Sequence, residues 1–258
     1  MKFSIITFLL ASFMMFSNQK TIAENPIGTF TELGYASDTF ITPKGDTVNV
    51  IFIKHGSLAL DIKGKTIYID PVTMFGNDYS VLPKADVVMV THEHHDHLDS
   101  TAIALVATPQ TQIMSSARVS ELLPGAKPLK VGEKVNIGIP GVTITTFPAY
   151  NTTPDHLQFH PRERGDLGFI FYIDGLKIYI AGDTEDTPEM TELGPEQIDI
   201  AFLPVNQPFT MTPEQAIKAT DTIHPKILYP YHYGQTDLTP IVNYFANSDV
   251  QVRIREMQ

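Results

Sequence analysis

Three features of the sequence predict an α/β or α+β chain built on packed sheets. Runs rich in β-branched and aromatic residues recur through both halves, and in each half the helical segments come late. Several runs, among them residues 85–90, are apolar throughout, as in strands buried on both faces. Lys63-Gly64-Lys65 and Asp174-Gly175 sit between such runs and read as hairpin turns. Sheets of this kind pack face to face and take helices on their outer sides.

The elements follow in order. Residues 1–23 read as a secretory signal: Lys2, an apolar run over 3–16, polar residues 17–20, then Thr21-Ile22-Ala23. The run falls short of the about 20 residues a spanning helix needs. The chain is therefore expected to be exported, to a periplasm or the medium. Residues 24–46, rich in Thr, Gly, Pro and Asp, are expected to form a loose lead-in, and residues 47–258 one domain. Strands are expected over 48–54, 57–62, 66–70, 85–90, 111–114, 135–139 and 142–147, with helices over 100–107 and 116–123. The second half repeats the scheme. Strands are expected over 168–173, 177–181, 198–203, 227–231 and 250–254, and helices over 188–193, 212–223 and 238–246. Thr212-Pro213-Glu214-Gln215 carries both a capping pattern and proline at the first helical position.

Composition narrows the function. The 258 residues carry a formal charge of −11, with acids spread along the chain. That disfavours nucleic acid, whose backbone needs a basic face. A small-molecule substrate is expected instead. There is no cysteine, so any metal must be held by nitrogen and oxygen donors.

Those donors are concentrated in one stretch. Thr91-His92-Glu93-His94-His95-Asp96-His97-Leu98-Asp99 holds four of the nine histidines, directly after the apolar run 86–90. His92 and His94 would share a side of an extended chain, with Asp96 continuing the alternation and His97 breaking it. His95 falls on the opposite side. So many donors would crowd one ion, which points to two. Asp183 ends another apolar run after Ala181-Gly182, where its carboxylate could bridge two cations. His232 ends a third, in Tyr231-His232-Tyr233-Gly234.

The pattern His92-x-His94-x-Asp96-His97, with the segments 178–184 and 229–234, resembles the metallo-β-lactamase superfamily of metallohydrolases. It is most similar to the branch of ascorbate-phosphate lactonase-like and N-acyl-phosphatidylethanolamine phospholipase D-like hydrolases. The resemblance runs from about Val48 to the C-terminus. It implies a four-layer αββα sandwich of two mixed sheets flanked by helices. It also implies two divalent ions, zinc first among zinc, manganese, iron and nickel, and places His232 with Asp96 and His97 on the second ion.

Many relatives carry a further histidine after the strand equivalent to 142–147. Here that place reads Ala149-Tyr150-Asn151. His160 is the preferred substitute over His156, with Asn151 lining the pocket. His55 is expected near the centre, and Asp70 behind a ligand histidine. Arg162 and Arg164 are read as a solvated loop, with contact to an anionic substrate group as the alternative. The loops 73–76 and 208–211 are expected to pack over the site rather than to meet a membrane. The expected chemistry is hydrolysis of an ester, lactone or phosphodiester by metal-bound hydroxide, with Asp96 accepting the nucleophile's hydrogen bond. An exported β-lactamase-type amide hydrolase and a non-catalytic metal- or partner-binding protein are the alternatives.

Overall fold

The computed structural model describes residues 28–258; the signal expected over residues 1–23 lies outside them. Among the described residues, fourteen strands form two seven-stranded sheets. The first holds β1 (Ala36–Ile41), β2 (Thr47–Lys54), β3 (Ser57–Ile62), β4 (Lys65–Ile69), β5 (Val87–Val90), β6 (Gln112–Ser116) and β7 (Lys127–Leu129), side by side in chain order. The second holds β8 (Lys134–Asn136), β9 (Val142–Ala149), β10 (Asp166–Ile173), β11 (Leu176–Ile180), β12 (Ile200–Pro204), β13 (Ile227–Tyr231) and β14 (Gln251–Val252), likewise consecutive. Each sheet begins antiparallel and ends parallel, so the two halves share one topology.

Three apolar layers hold the sheets and helices together. Val48, Val50 and Phe52 of β2 and Val87 and Met89 of β5 meet Ile178, Ile180, Phe202 and Tyr229 between the sheets. The alternate residues Ile51, Tyr68, Val88 and Val90 face outward, under Ile103 and Val106 of α1 (Ser100–Val106) and Val119 of α2 (Ala117–Leu122). On the far side Tyr179, Ala201 and Leu203 lie in one cluster with Leu193 of α3 (Leu193–Glu196), Ala216, Ala219 and Ile223 of α4 (Pro213–Ile223) and Ile241 of α5 (Thr239–Tyr244). Burial of both faces is why these strands lack polar alternation.

The turns follow their chemistry. Lys63-Gly64 and Asp174-Gly175 form two-residue hairpins with all four residues at positive φ, the backbone that twisted antiparallel strands require. The capping box at Thr212 and Gln215 is formed on both sides.

The sequence expectation fails at several elements. The lead-in over 24–46 is not loose throughout, because it contains β1, paired antiparallel to β2 along its full length. β1 is an edge strand with mostly exposed side chains, so it lacks the apolar run that marks the inner strands. The three-residue β7 was not expected, and β8 is shorter than the expected 135–139. Residues 188–192 form a 3-10 turn, with only 193–196 α-helical.

This topology brings several chain ends to one edge. Strands β2, β4, β5, β9, β11 and β13 all end there, and β10 begins there, with Asp166 opposite Ala149. Two backbone hydrogen bonds tie the sheets together at that edge. The Leu167 N–H donates to Thr91 O at 3.2 Å, and the His232 N–H donates to His55 O at 3.2 Å.

Candidate metal centre

The segment after β5 does not stay extended. The N–H groups of His97 and Leu98 both donate to His94 O, so 94–98 turns, and the expected alternation through Asp96 does not hold. The turn buries His92 and His97, half-exposes His94 and Asp96, and leaves His95 in solvent.

Asp183 and His232 reach the same place from β11 and β13. Gly182 makes this possible: its φ is +68°, and a Cβ there would lie 2.6 Å from Leu167 O. Asp183 then sits between the histidines. Its Oδ1 is 3.4 Å from His97 Nε2, and its Oδ2 is 3.4 Å from the Nε2 atoms of His160 and His232 and 3.9 Å from that of His92. His232 Nε2 is also 3.4 Å from Asp96 Oδ2.

His160 comes from the long connection between β9 and β10, which is held from behind. The buried Glu185 carboxylate accepts from the backbone N–H groups of Thr152 and Thr153 at 2.7 and 2.6 Å and lies 2.8 Å from His156 Nδ1. His156, the other candidate, is thereby turned away from the cluster. Asn151 does not line the site. It is buried, and its Nδ2 donates to His156 O and Phe209 O. Small polar residues that look like pocket lining can instead satisfy loop carbonyls, as here.

Hydrogen bonds fix the ring tautomers. Asp70 Oδ2 accepts from His97 Nδ1 at 2.7 Å and from Thr91 Oγ1 at 2.7 Å, and Thr91 Oγ1 in turn accepts from His92 Nδ1 at 2.9 Å. His160 Nδ1 donates to Phe209 O at 3.0 Å. In His92 and His160 the Nε2 lone pair therefore faces inward, and in His97 the Nε2 atom does, its proton being one that a bound cation would displace. Those three nitrogens, His232 Nε2 and Asp183 Oδ1 are buried without a hydrogen-bond partner. Five such atoms facing one another are costly unless a cation satisfies them.

Protonation states agree with that reading. Burial pushes His55 and His160 down to about 4 and holds His92 well below the usual range. Burial works against ionising Asp183 and Asp96, but facing histidines outweigh it and hold both carboxyls well below their ordinary value. Neutral imidazoles among carboxylates are what a cation needs. His97 goes the other way. Burial opposes its charge, but Asp183 and Asp70 raise it well above the usual value.

The distances also suit metal coordination. Two donors about 2.1 Å from one ion at the tetrahedral angle lie about 3.4 Å apart, the spacing found at four pairs here. The donors fall into overlapping groups: His92, His94 and His160; His92, His97 and Asp183; and His55, Asp96, His97 and His232.

Other residues surround the centre. Arg164 binds Asp166 through Nε and Nη2, and its Nη1 donates to His94 Nε2 at 2.9 Å. A cation taken up by that nitrogen would replace the guanidinium there. Arg164 is thus not merely solvated, while Arg162 is exposed, as expected, and pairs at the surface with Glu189 at 2.5 Å. Phe75 packs on His55 with ring centroids 4.4 Å apart, and Phe209 packs on Phe159 at 5.0 Å. Met211 is fully buried, while Met74 and Phe209 stay exposed. A cavity of about 610 Å³ opens on the outer face of β9 and β10; Arg162, Glu189, Gly165 and Asp166 line it, and none of the clustered histidines does. Sequence reading missed Thr91, Glu185 and the Arg164–Asp166 pair. The proximity of Thr91 and Glu185 to the strand-end motifs was their one signal.

Comparison with known proteins gives the family and supports the fold. Residues 49–232 match the family described as Beta-lactamase superfamily domain. The UPF0173 metal-dependent hydrolase of Lysinibacillus sphaericus is 31% identical over 77% of this chain and 92% of its own length. A crystal structure from Parabacteroides distasonis, described as a candidate metal-dependent hydrolase, is 47% identical. It covers 87% of this chain and 100% of its own, with a TM-score of 0.83. The metallo hydrolase Igni18 from Ignicoccus hospitalis shares the fold at 24% identity and a TM-score of 0.64, over 81% of this chain and 95% of its own. The chain belongs to the beta-lactamase superfamily domain family and, within it, to the metal-dependent hydrolases.

Proposed function

We propose that the chain is a dinuclear hydrolase of an ester, lactone or phosphodiester, with zinc the first choice of metal. The observation that carries this reading is the group of buried, unpartnered nitrogen and oxygen atoms around Asp183. His92, His94 and His160 would hold the first ion, Asp96, His97 and His232 the second, and Asp183 would lie between them. When bound, the ions supply Lewis acidity and a water acidified to near neutrality.

The protein's own residues do the rest. Asp96, held ionised and partly open to solvent, accepts the hydrogen bond of the attacking water and orients it. Asp70 keeps the His92 and His97 rings in the tautomer that presents Nε2. The burial of His92, His160 and His232 excludes bulk water, which strengthens every electrostatic contact with the charge that develops on the substrate. Export remains a proposal that rests on residues 1–23.

The test is a panel of p-nitrophenyl esters, simple lactones and bis(p-nitrophenyl) phosphate against zinc- and manganese-loaded protein. Turnover of at least one class, lost by a factor of about 10² or more in His92→Ala, supports the reading. Equal turnover by the variant, or none from the loaded protein on any class, contradicts it.

A further inference from the structure

His55 lies outside the segments that carry the other donors. It closes β2, and with Gly56 it forms the turn into β3. Four observations place its side chain among them. Its Nε2 is 3.1 Å from Asp96 Oδ2, the same oxygen that His232 Nε2 approaches at 3.4 Å. Its donor atom and those of Asp96, His97 and His232 all lie within 4.8 Å of one another. Its ring packs on that of His232 with centroids 3.6 Å apart. The backbone joins the same two residues, His232 N–H donating to His55 O.

The turn is shaped for this. His55 has φ +56° and His232 φ +50°, left-handed backbone that glycine or asparagine adopts more easily than histidine. A Cβ on Gly56 would fall 2.7 Å from His97 Cε1, so the turn presses directly on another ring of the cluster. Ser57, next in the chain, donates to Asp70 O at 2.5 Å, and the Asp70 carboxylate holds His97. Residues 55–57 are thus one wall of the second cluster, fastened to both sheets.

We propose that His55 is itself a metal-ligating residue of the second cluster, an inference that rests on the dinuclear reading above. The second ion would then have five protein donors, His55, Asp96, His97, His232 and Asp183. The first would have four: His92, His94, His160 and Asp183. A shell this full leaves the second ion little room for substrate. The open side of the centre would then lie at His92, His94 and His160, where a bound ion would supply Lewis acidity to a substrate oxygen.

The test is stepwise titration of metal-free protein with zinc and, separately, with cobalt, in wild type and His55→Asn. Asparagine tolerates left-handed backbone, so the metal-free variant should melt within a few degrees of wild type. Should it fail to fold, His55→Gly asks the same question with the backbone relieved. The expected result is two equivalents in wild type. In the variant the second equivalent should weaken at least tenfold, and its visible cobalt bands should intensify as five donors become four. Two equivalents of unchanged affinity, or weakened binding with unchanged cobalt bands, would overturn the ligand assignment alone. The second of these outcomes would make His55 a hydrogen-bond partner of Asp96. A wild type that takes up fewer than two equivalents would overturn both this inference and the dinuclear reading.

Discussion

Asp70 serves two histidines at once. Its Oδ2 accepts from His97 and from Thr91, which accepts from His92, and its Oδ1 accepts from the Thr91 N–H. Every neighbour is a donor, so Asp70→Asn must turn an NH₂ toward another donor. Metal affinity, followed by zinc titration, should fall about 10- to 100-fold, and stability by about 1–3 kcal/mol. Unchanged zinc binding would show that the rings do not depend on this carboxylate. Gly182 is constrained differently, by its φ of +68° and by Leu167 O. Gly182→Ala should cost about 2–4 kcal/mol in denaturant unfolding, and a loss below about 0.5 kcal/mol would show that the edge can shift. At this scale the donor residues stood out in the sequence, because imidazoles and carboxylates at strand ends are rare and clustered. Of their supports, Asp70 was legible as a residue behind a ligand histidine, and the others were not. Thr91 and Glu185 are ordinary polar residues whose partners Asp70 and the 152–156 segment lie 21 or more residues away, so no local pattern marks which group each will meet.

The connection between β9 and β10 shows how an element without regular structure can carry a functional side chain. Glu185 gathers Thr152, Thr153 and His156, and Asn151 closes the loop onto Phe209 O, which also fixes His160. Removing that anchor in Glu185→Ala leaves two backbone N–H groups without an acceptor. Hydrogen exchange over residues 151–160 should quicken by an order of magnitude or more, and the first site should lose affinity while the second keeps it. Equal loss at both sites, or none, would contradict the division of the donors. Elements with strong periodicity or turn chemistry were legible, including the hairpins at Lys63-Gly64 and Asp174-Gly175 and helix α4. β1 and β7 were not, because an edge strand with exposed side chains reads like a loop.

For the molecule as a whole, two sheets of like topology meet so that their strand ends share one edge, and the donors from both converge there. Packed sheets were readable from composition and periodicity. The four layers and the joint edge needed family resemblance, since pairing across sheets leaves no mark on local sequence. The convergence has a cost in the metal-free protein. His55 and His160 have folded values near 4 against 6.5 for an unperturbed imidazole. Between those values these two groups, and His92 with them, bind more protons in the unfolded chain, while Asp166, pushed up to about 6 by burial, offsets one of them. The balance should make stability rise with pH from about 4 to about 6.5. Denaturant titrations of metal-free protein across that window check this, and stability that is flat or falls with pH would contradict it. Zinc should mask most of the dependence by occupying the same nitrogens.

The most direct measurement is a crystal structure of zinc-loaded protein with anomalous scattering at the metal edge. Two peaks are expected about 3.5–4 Å apart, on either side of Asp183, with His92, His94 and His160 about 2.0–2.2 Å from one and Asp96, His97 and His232 at the same range from the other. A single peak, or peaks away from these residues, would contradict it.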